Sequence, residues 1–191
     1  MNDRKTRGGP LVRESRGYSG ALSLRTNSSR RVVFALDGDL SGDGQGAQNW
    51  SIAQSISWKV RPNLMVQFGT RYRQRFNPVQ WVGAFDDPLM SATYGTRYVF
   101  AGIDQKVVST EMRVNWTFSP KMSLQLYLQP YLTTGAYHHF KQLALPGSMA
   151  YPLLAEGGKV SRDANGGYTV DPDGAGPAPA FAFDNPDFNF K

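Results

Sequence analysis

The sequence predicts an all-β chain, an incomplete portion of an antiparallel, up-and-down transmembrane β-barrel with long external loops. Three observations predict it. Apolar residues recur at alternate positions over several stretches, the period of a strand with one oily face. The connections between these stretches alternate between short turns and long polar loops, the asymmetry of an outer-membrane barrel. One hairpin design is also written twice. Asn49–Phe68 (NWSIAQSISWKVRPNLMVQF) and Val114–Leu126 (VNWTFSPKMSLQL) set Trp58 and Trp116 equally far ahead of the turn prolines Pro62 and Pro120.

In chain order, residues 1–17 are basic and aperiodic and read as a connecting segment, and residues 18–191 as the barrel portion. Strands are expected near 18–26, 30–37, 49–60, 64–76, 97–118 and 122–135, with another starting at 188. In the first hairpin Trp50, Ile52, Ile56, Trp58 and Val60 alternate with Asn49, Ser51, Ser55, Ser57 and Lys59. Asp37–Gln48 reads as a Gly- and Asp-rich loop, and residues 77–95 and 142–187 as long loops without periodicity. Pro130 sits inside the 122–135 pattern, where it either removes a ladder bond or marks a strand leaving its neighbours.

Composition narrows the class. With 191 residues, 40% hydrophobic, and a mean hydropathy of −0.42, the chain holds no apolar run near the ~20 residues of a membrane-spanning helix. The absence of cysteine excludes disulfides and thiolate metal sites. MNDRKTRGGP at the start lacks the apolar core of a secretion signal, so an envelope protein would make this chain part of a longer one. The net charge of +6 and pI near 9.7 fit a polyanion partner. Yet the basic residues are scattered and no nucleic-acid module accompanies them, so nucleic acid is not an expected partner.

In lipid, backbone groups must pair completely and outward side chains must be apolar, with Trp and Tyr at the interfaces. Trp58 and Trp116 stand where an inner aromatic girdle belongs, and Tyr72 and Tyr98 where an outer one does. The sharpest polar signal is Arg71, Arg73 and Arg75, whose spacing sets three guanidinium groups on one face of one strand. Facing a lumen, they would either favour anionic solutes or be neutralised by Glu111 and other acids that brace the wall.

Asp37, Asp39 and Asp43 match the opening of a calcium loop, but Gln48 stands where a closing glutamate belongs. Asp163, Asn165, Asp171 and Asp173 form a second oxygen-rich stretch that turn chemistry explains equally well. His138 and His139, adjacent in an extended segment, should point to opposite faces and make no zinc site. No cofactor or catalytic motif is visible, and the chain is not expected to be an enzyme.

Thr93–Tyr131, the QWVG of Gln80–Gly83, the TRGGP of Thr6–Pro10 and the closing VDPDG and DNPDFNFK resemble the barrel region of an uncharacterised bacterial family. Its members typically join a carbohydrate-binding-family-9-like domain to a C-terminal outer-membrane β-barrel classed as a domain of unknown function. The resemblance implies the bacterial outer membrane and a link to carbohydrate through the fused domain; the barrel pattern and the arginines add a lipid-bilayer partner and passage, docking or uptake of a small anionic or carbohydrate solute as the expected function. The alternative reading is a soluble β-rich carbohydrate-binding module or a hydrolase-type enzyme. The two differ in whether Trp58, Trp116, Leu124 and Leu126 form an outward belt or pack against a second sheet.

Overall fold

The computed structural model describes Met1 and Asp3–Lys191. Its strands are β1 (Gly17–Arg25), β2 (Val32–Asp43), β3 (Gln48–Arg61), β4 (Leu64–Asp86), β5 (Thr96–Ser119), β6 (Met122–Leu128) and β7 (Tyr131–Gln142). A short helix α1 (Leu154–Gly157) and strands β8 (Lys159–Arg162), β9 (Tyr168–Asp171), β10 (Phe181–Phe183) and β11 (Phe188–Phe190) complete it. The main sheet is an antiparallel meander ordered β1-β2-β3-β4-β5-β7-β11, with β6 also paired to β5. The chain is thus all-β and antiparallel, as its alternation requires. The sheet is open, with β1 and β11 at its two edges, and these strands do not close into a barrel. No helix among the described residues is long and apolar enough to cross a membrane, which says nothing of crossing by strands.

The repeated hairpins lie side by side. Leu64 of β4 pairs with Trp116 of β5, so both proline turns fall at the same end of the sheet. They are tied together there: Asn63 Nδ2 donates to the Thr117 carbonyl (2.8 Å) and the Thr117 amide donates to the Asn63 carbonyl (2.9 Å). Pro130 interrupts β6 and β7 without shifting them. Met112 pairs with Leu128 before it and Ser109 with Tyr131 after it in the same register, while the Pro130 carbonyl still accepts from the Thr110 amide. The proline removes one donor and leaves the strand where it was.

At the opposite end three expectations are corrected. Residues 37–48 are not a long loop. β2 runs to Asp43, and a tight turn over 44–47, with Gly46 at φ +92°, leads into β3. Residues 77–86 are not loop either but the far half of β4, paired to β5 through two bulges, between Asn77 and Gln80 and between Trp81 and Gly83. Each extra residue moves the following side chains to the other face, which erases the period of two from the sequence. Residues 142–187, read as loop, contain α1 and the small sheet β10-β9-β8.

These additions cover the extended ends of β4, β5 and β7 on both faces. On one face Val99, Ala101, Phe140, Leu154 and Val170 form a buried cluster, with Phe85, Tyr137, Tyr168, Phe181 and Phe183 packed against it. On the other, Val12 joins Val79, Phe100 and Leu143. Residues 1–17 are therefore more than a connecting segment. Val12 is fully buried, the Arg7 guanidinium sits 5.6 Å from the centre of the Trp81 ring, and Gly9 lies so close to the Tyr98 ring that a Cβ would collide with it.

The small sheet depends on one glycine. Backbone atoms of Asp171 and Pro172 occupy the space that a Cβ on Gly158 would need. Gly158→Ala is expected to cost about 1–3 kcal/mol and to loosen β8 from β9. Limited proteolysis should show faster cutting between residues 159 and 171, with the main sheet unchanged.

Candidate functional site on the polar face

Directly paired residues project to the same side of a sheet and alternate residues to opposite sides. The register therefore sorts the main sheet into two faces. Phe34, Ile56, Phe68, Met112 and Leu128 form one apolar row across five strands. A second row runs Val32, Trp58 and Val66, and Leu64, Trp116 and Leu124 form a third. Nothing in the described chain packs on this belt: Trp58 is 49% exposed, Trp116 38%, Leu124 48% and Leu126 43%.

From Trp50 to Trp58 the belt measures about 27 Å along β3. Gln54, Thr70 and Thr110 interrupt it with a polar row, in which Gln54 Nε2 donates to the Thr70 hydroxyl (3.2 Å). The aromatic residues named from the sequence separate here. Trp116 packs beside Phe118 at the turn end (4.3 Å between centroids), and Tyr72 beside Trp50 at the other (5.3 Å). Tyr98 does not share the level of Tyr72, whose partner on β5 is Val108. It lies about 33 Å further along the strand, beneath Gly9 and beside Trp81. Trp50, recognised in the sequence only as part of a hairpin, takes the place expected of Tyr98.

The opposite face carries Asp37, Asp39, Ser51, Arg71, Arg73, Arg75, Gln105, Ser109 and Glu111. β4 holds the arginines in a row because its pairing to β5 is regular from Leu64 to Asn77. Arg71 lies between Ala53 and Ser109, Arg73 between Ser51 and Val107, and Arg75 between Asn49 and Gln105. An open cavity of about 630 Å³ lies over them, with Ser41, Tyr131 and the turn end of the β2–β3 hairpin completing its wall.

The three arginines are not equivalent. Arg71 Nη1 is 3.8 Å from Asp39 Oδ1 and donates to the Ser51 hydroxyl (3.5 Å). Asp39 also accepts from the Ser51 hydroxyl (2.5 Å) and from Asn49 Nδ2 (3.5 Å). Arg73 and Arg75 are exposed and have no hydrogen-bond or ion-pair partner among the described residues. Glu111, expected to neutralise the row, instead pairs with Arg113 on its own strand (2.5 Å). Arg113 in turn lies over the Tyr127 ring at 4.8 Å.

The calcium-loop expectation gives way to a strand. Asp37 and Asp39 alternate along β2 with Gly38 and Leu40 instead of wrapping a cation, and each acid is separately engaged. Asp37 accepts from the Ser23 hydroxyl (2.6 Å). Asp43 accepts from the Gln45 and Ala47 amides (2.9 and 3.0 Å) and so fixes the β2–β3 turn. In the second oxygen-rich stretch Asp163 accepts from the Asn165 and Gly167 amides (2.8 and 2.9 Å), and Asp171 from the Gly174 amide (2.9 Å). These are turn bonds.

The histidines also differ from expectation. The extra residue of β7 falls beside them, and His139 takes φ +53°. The two rings, expected on opposite faces, instead meet at 4.7 Å, with Asp104 3.6 Å from His138 Nδ1. Among the described residues no group of three or more His, Cys, Asp or Glu is arranged to hold a metal ion.

A family model described as a domain of unknown function (DUF5916) matches residues 3–170. No curated protein and no solved structure matches the chain.

Proposed function

We infer that this chain, which belongs to the DUF5916 family of domains of unknown function, forms part of the wall of a bacterial outer-membrane β-barrel. In this reading it serves passage, docking or uptake of a solute at the cell surface. The observation that carries the reading is the bare apolar belt, which runs across β1–β6 with a polar face behind it. In water such a face would be a liability far larger than the patches monomers normally expose. In a bilayer it is the surface that lipid requires, and its length along tilted strands corresponds to roughly 20 Å of bilayer thickness, close to the ~25 Å apolar band of membrane barrels.

The open edges fit the same reading, since β1 and β11 offer unpaired backbone to further strands. The small sheet and the residue 1–17 segment would then stand clear of the bilayer on the loop side. Carbohydrate enters only through the resemblance; the polar face itself presents guanidinium and amide donors. Catalysis is not part of the proposal, because neither histidine lies on the arginine cavity.

The four tryptophans give a direct test. Single-tryptophan variants are refolded with vesicles containing brominated lipid. Trp50, Trp58 and Trp116 are expected to be quenched strongly and Trp81, beneath Arg7 and beside Tyr98, hardly at all. Equal, weak quenching at all four positions would overturn the membrane reading. Conductance of the intact protein in planar bilayers then separates passage from docking.

A further inference from the structure

We propose that Arg73 and Arg75 form a binding site for oxyanions, either phosphate or carboxylate groups of a small solute, and that Asp39 occupies Arg71 at the end of the same row. The proposal rests on the reading of this face as the solute-facing one and names the chemistry it takes.

Charge on this face is the starting point. Three guanidinium groups on alternate positions of one strand repel one another, and a fold that neutralised them would place acids opposite. Opposite Arg73 stand Ser51 and Val107, and opposite Arg75 stand Asn49 and Gln105. The nearest acids are all committed elsewhere: Asp39 to Arg71 and Ser51, Asp37 to Ser23, Asp43 to its turn, Glu111 to Arg113. The counter-ion of Arg73 and Arg75 therefore has to come from solution.

Donor geometry points the same way. A guanidinium grips a carboxylate or phosphate with two parallel N–H bonds, and adjacent Arg73 and Arg75 can converge on one such group. Asn49 and Gln105 flank Arg75, but Asn49 Nδ2 donates to Asp39 and Ser41 and Gln105 Nε2 to Thr133, so the two guanidinium groups carry the grip. The cavity of about 630 Å³ lies within the range of small-molecule sites. Because it is open to water, binding there is weak and falls with salt.

Arg71 is different. Its bonds to Asp39 and Ser51 turn it into part of the wall between β2, β3 and β4. Asp39 thus acts as a brake on the site, since removing its charge frees a third guanidinium at the end of the same row.

Equilibrium binding of inorganic phosphate, with succinate as a parallel arm, to the detergent-solubilised protein at low ionic strength tests this. Saturable binding to the unaltered protein is expected. Arg73→Gln/Arg75→Gln should weaken it at least tenfold, Asp39→Asn should strengthen it severalfold, and Lys59→Gln, on the same face but outside the cavity, should leave it unchanged. Equal binding by the double variant, or an equal loss in Lys59→Gln, overturns the site. An Asp39→Asn variant that binds no better overturns the role given to Arg71. Should the glutamine variant fail to fold, Arg73→Lys/Arg75→Lys decides. A severalfold loss with both charges kept supports bidentate grip, and no loss overturns it. Because binding is read in detergent, its failure is separate from that of the membrane reading, which the lipid-quenching experiment judges.

Discussion

Asp87→Ala is expected to lower the stability of the chain by about 3–5 kcal/mol, the cost of leaving one partner of a buried ion pair behind. Asp87 and Arg97 are 1% and 5% exposed. Arg97 Nε donates to Asp87 Oδ2 at 2.9 Å, and Arg97 Nη2 reaches the same oxygen. The other guanidinium nitrogen is bonded to Gln142, so one side chain joins the end of β4, the start of β5 and the end of β7. Asp87 also accepts from the Leu89 amide (3.0 Å), and its own amide donates to the Gly95 carbonyl (2.8 Å). The pair therefore closes the connection between the two longest strands. Urea unfolding of the purified chain measures the loss. Combining Asp87→Ala with Arg97→Met should recover much of it, because the second change removes the charge that the first leaves buried. A double variant no better than the single one would mean that the bonds to Leu89 and Gly95, rather than the charge, hold the turn.

If the belt faces lipid as proposed, Ile56→Arg is expected to cost about 1–3 kcal/mol of folded stability in lipid vesicles, between the midplane and interface values for a cationic residue, since Ile56 lies roughly 7 Å inside Trp58. Ile56 lies in the apolar row between Phe34 and Phe68 and is 45% exposed. A control sits one residue away. Ser55 projects to the polar face, where Arg should change stability by no more than about 0.5 kcal/mol. Denaturant titration of both variants in vesicles, followed by tryptophan fluorescence, reads the difference. If the belt faced water, Ile56→Arg would be as harmless as Ser55→Arg and would improve solubility.

Much of this was legible in the sequence. The alternation in 49–60 and 97–118 gave strands within a residue of those observed, and that in 64–76 gave the start of β4 but not its last ten residues, because a regular strand with one apolar face writes its register directly into its residues. The repeated Trp–Pro spacing placed two turns at one end of the sheet. Reading failed where the backbone is irregular. The two bulges of β4 hid the strand in 77–86, and a third bulge in β7 turned His138 and His139 toward each other. Asp37-Gly38-Asp39 reads as a loop because Gly and Asp are turn residues, although its polar–small alternation is that of a strand whose neighbours supply the packing.

The chain by itself determined that the fold is all-β and antiparallel, together with the apolar and polar faces and the row of three arginines, since each follows from a local period of two. Only the tertiary structure decided which acids reach which arginines, that Trp50 and not Tyr98 stands level with Tyr72, and that residues 1–17 and 142–187 cover the ends of β4, β5 and β7. The reason is physical. Alternation sets the side on which a residue lies. Cross-strand register and bulges, which depend on residues far away in the sequence, set its neighbours. Arg73 and Arg75 are free for a ligand because β2 brings Asp39 to Arg71 and because Glu111 finds Arg113 on its own strand.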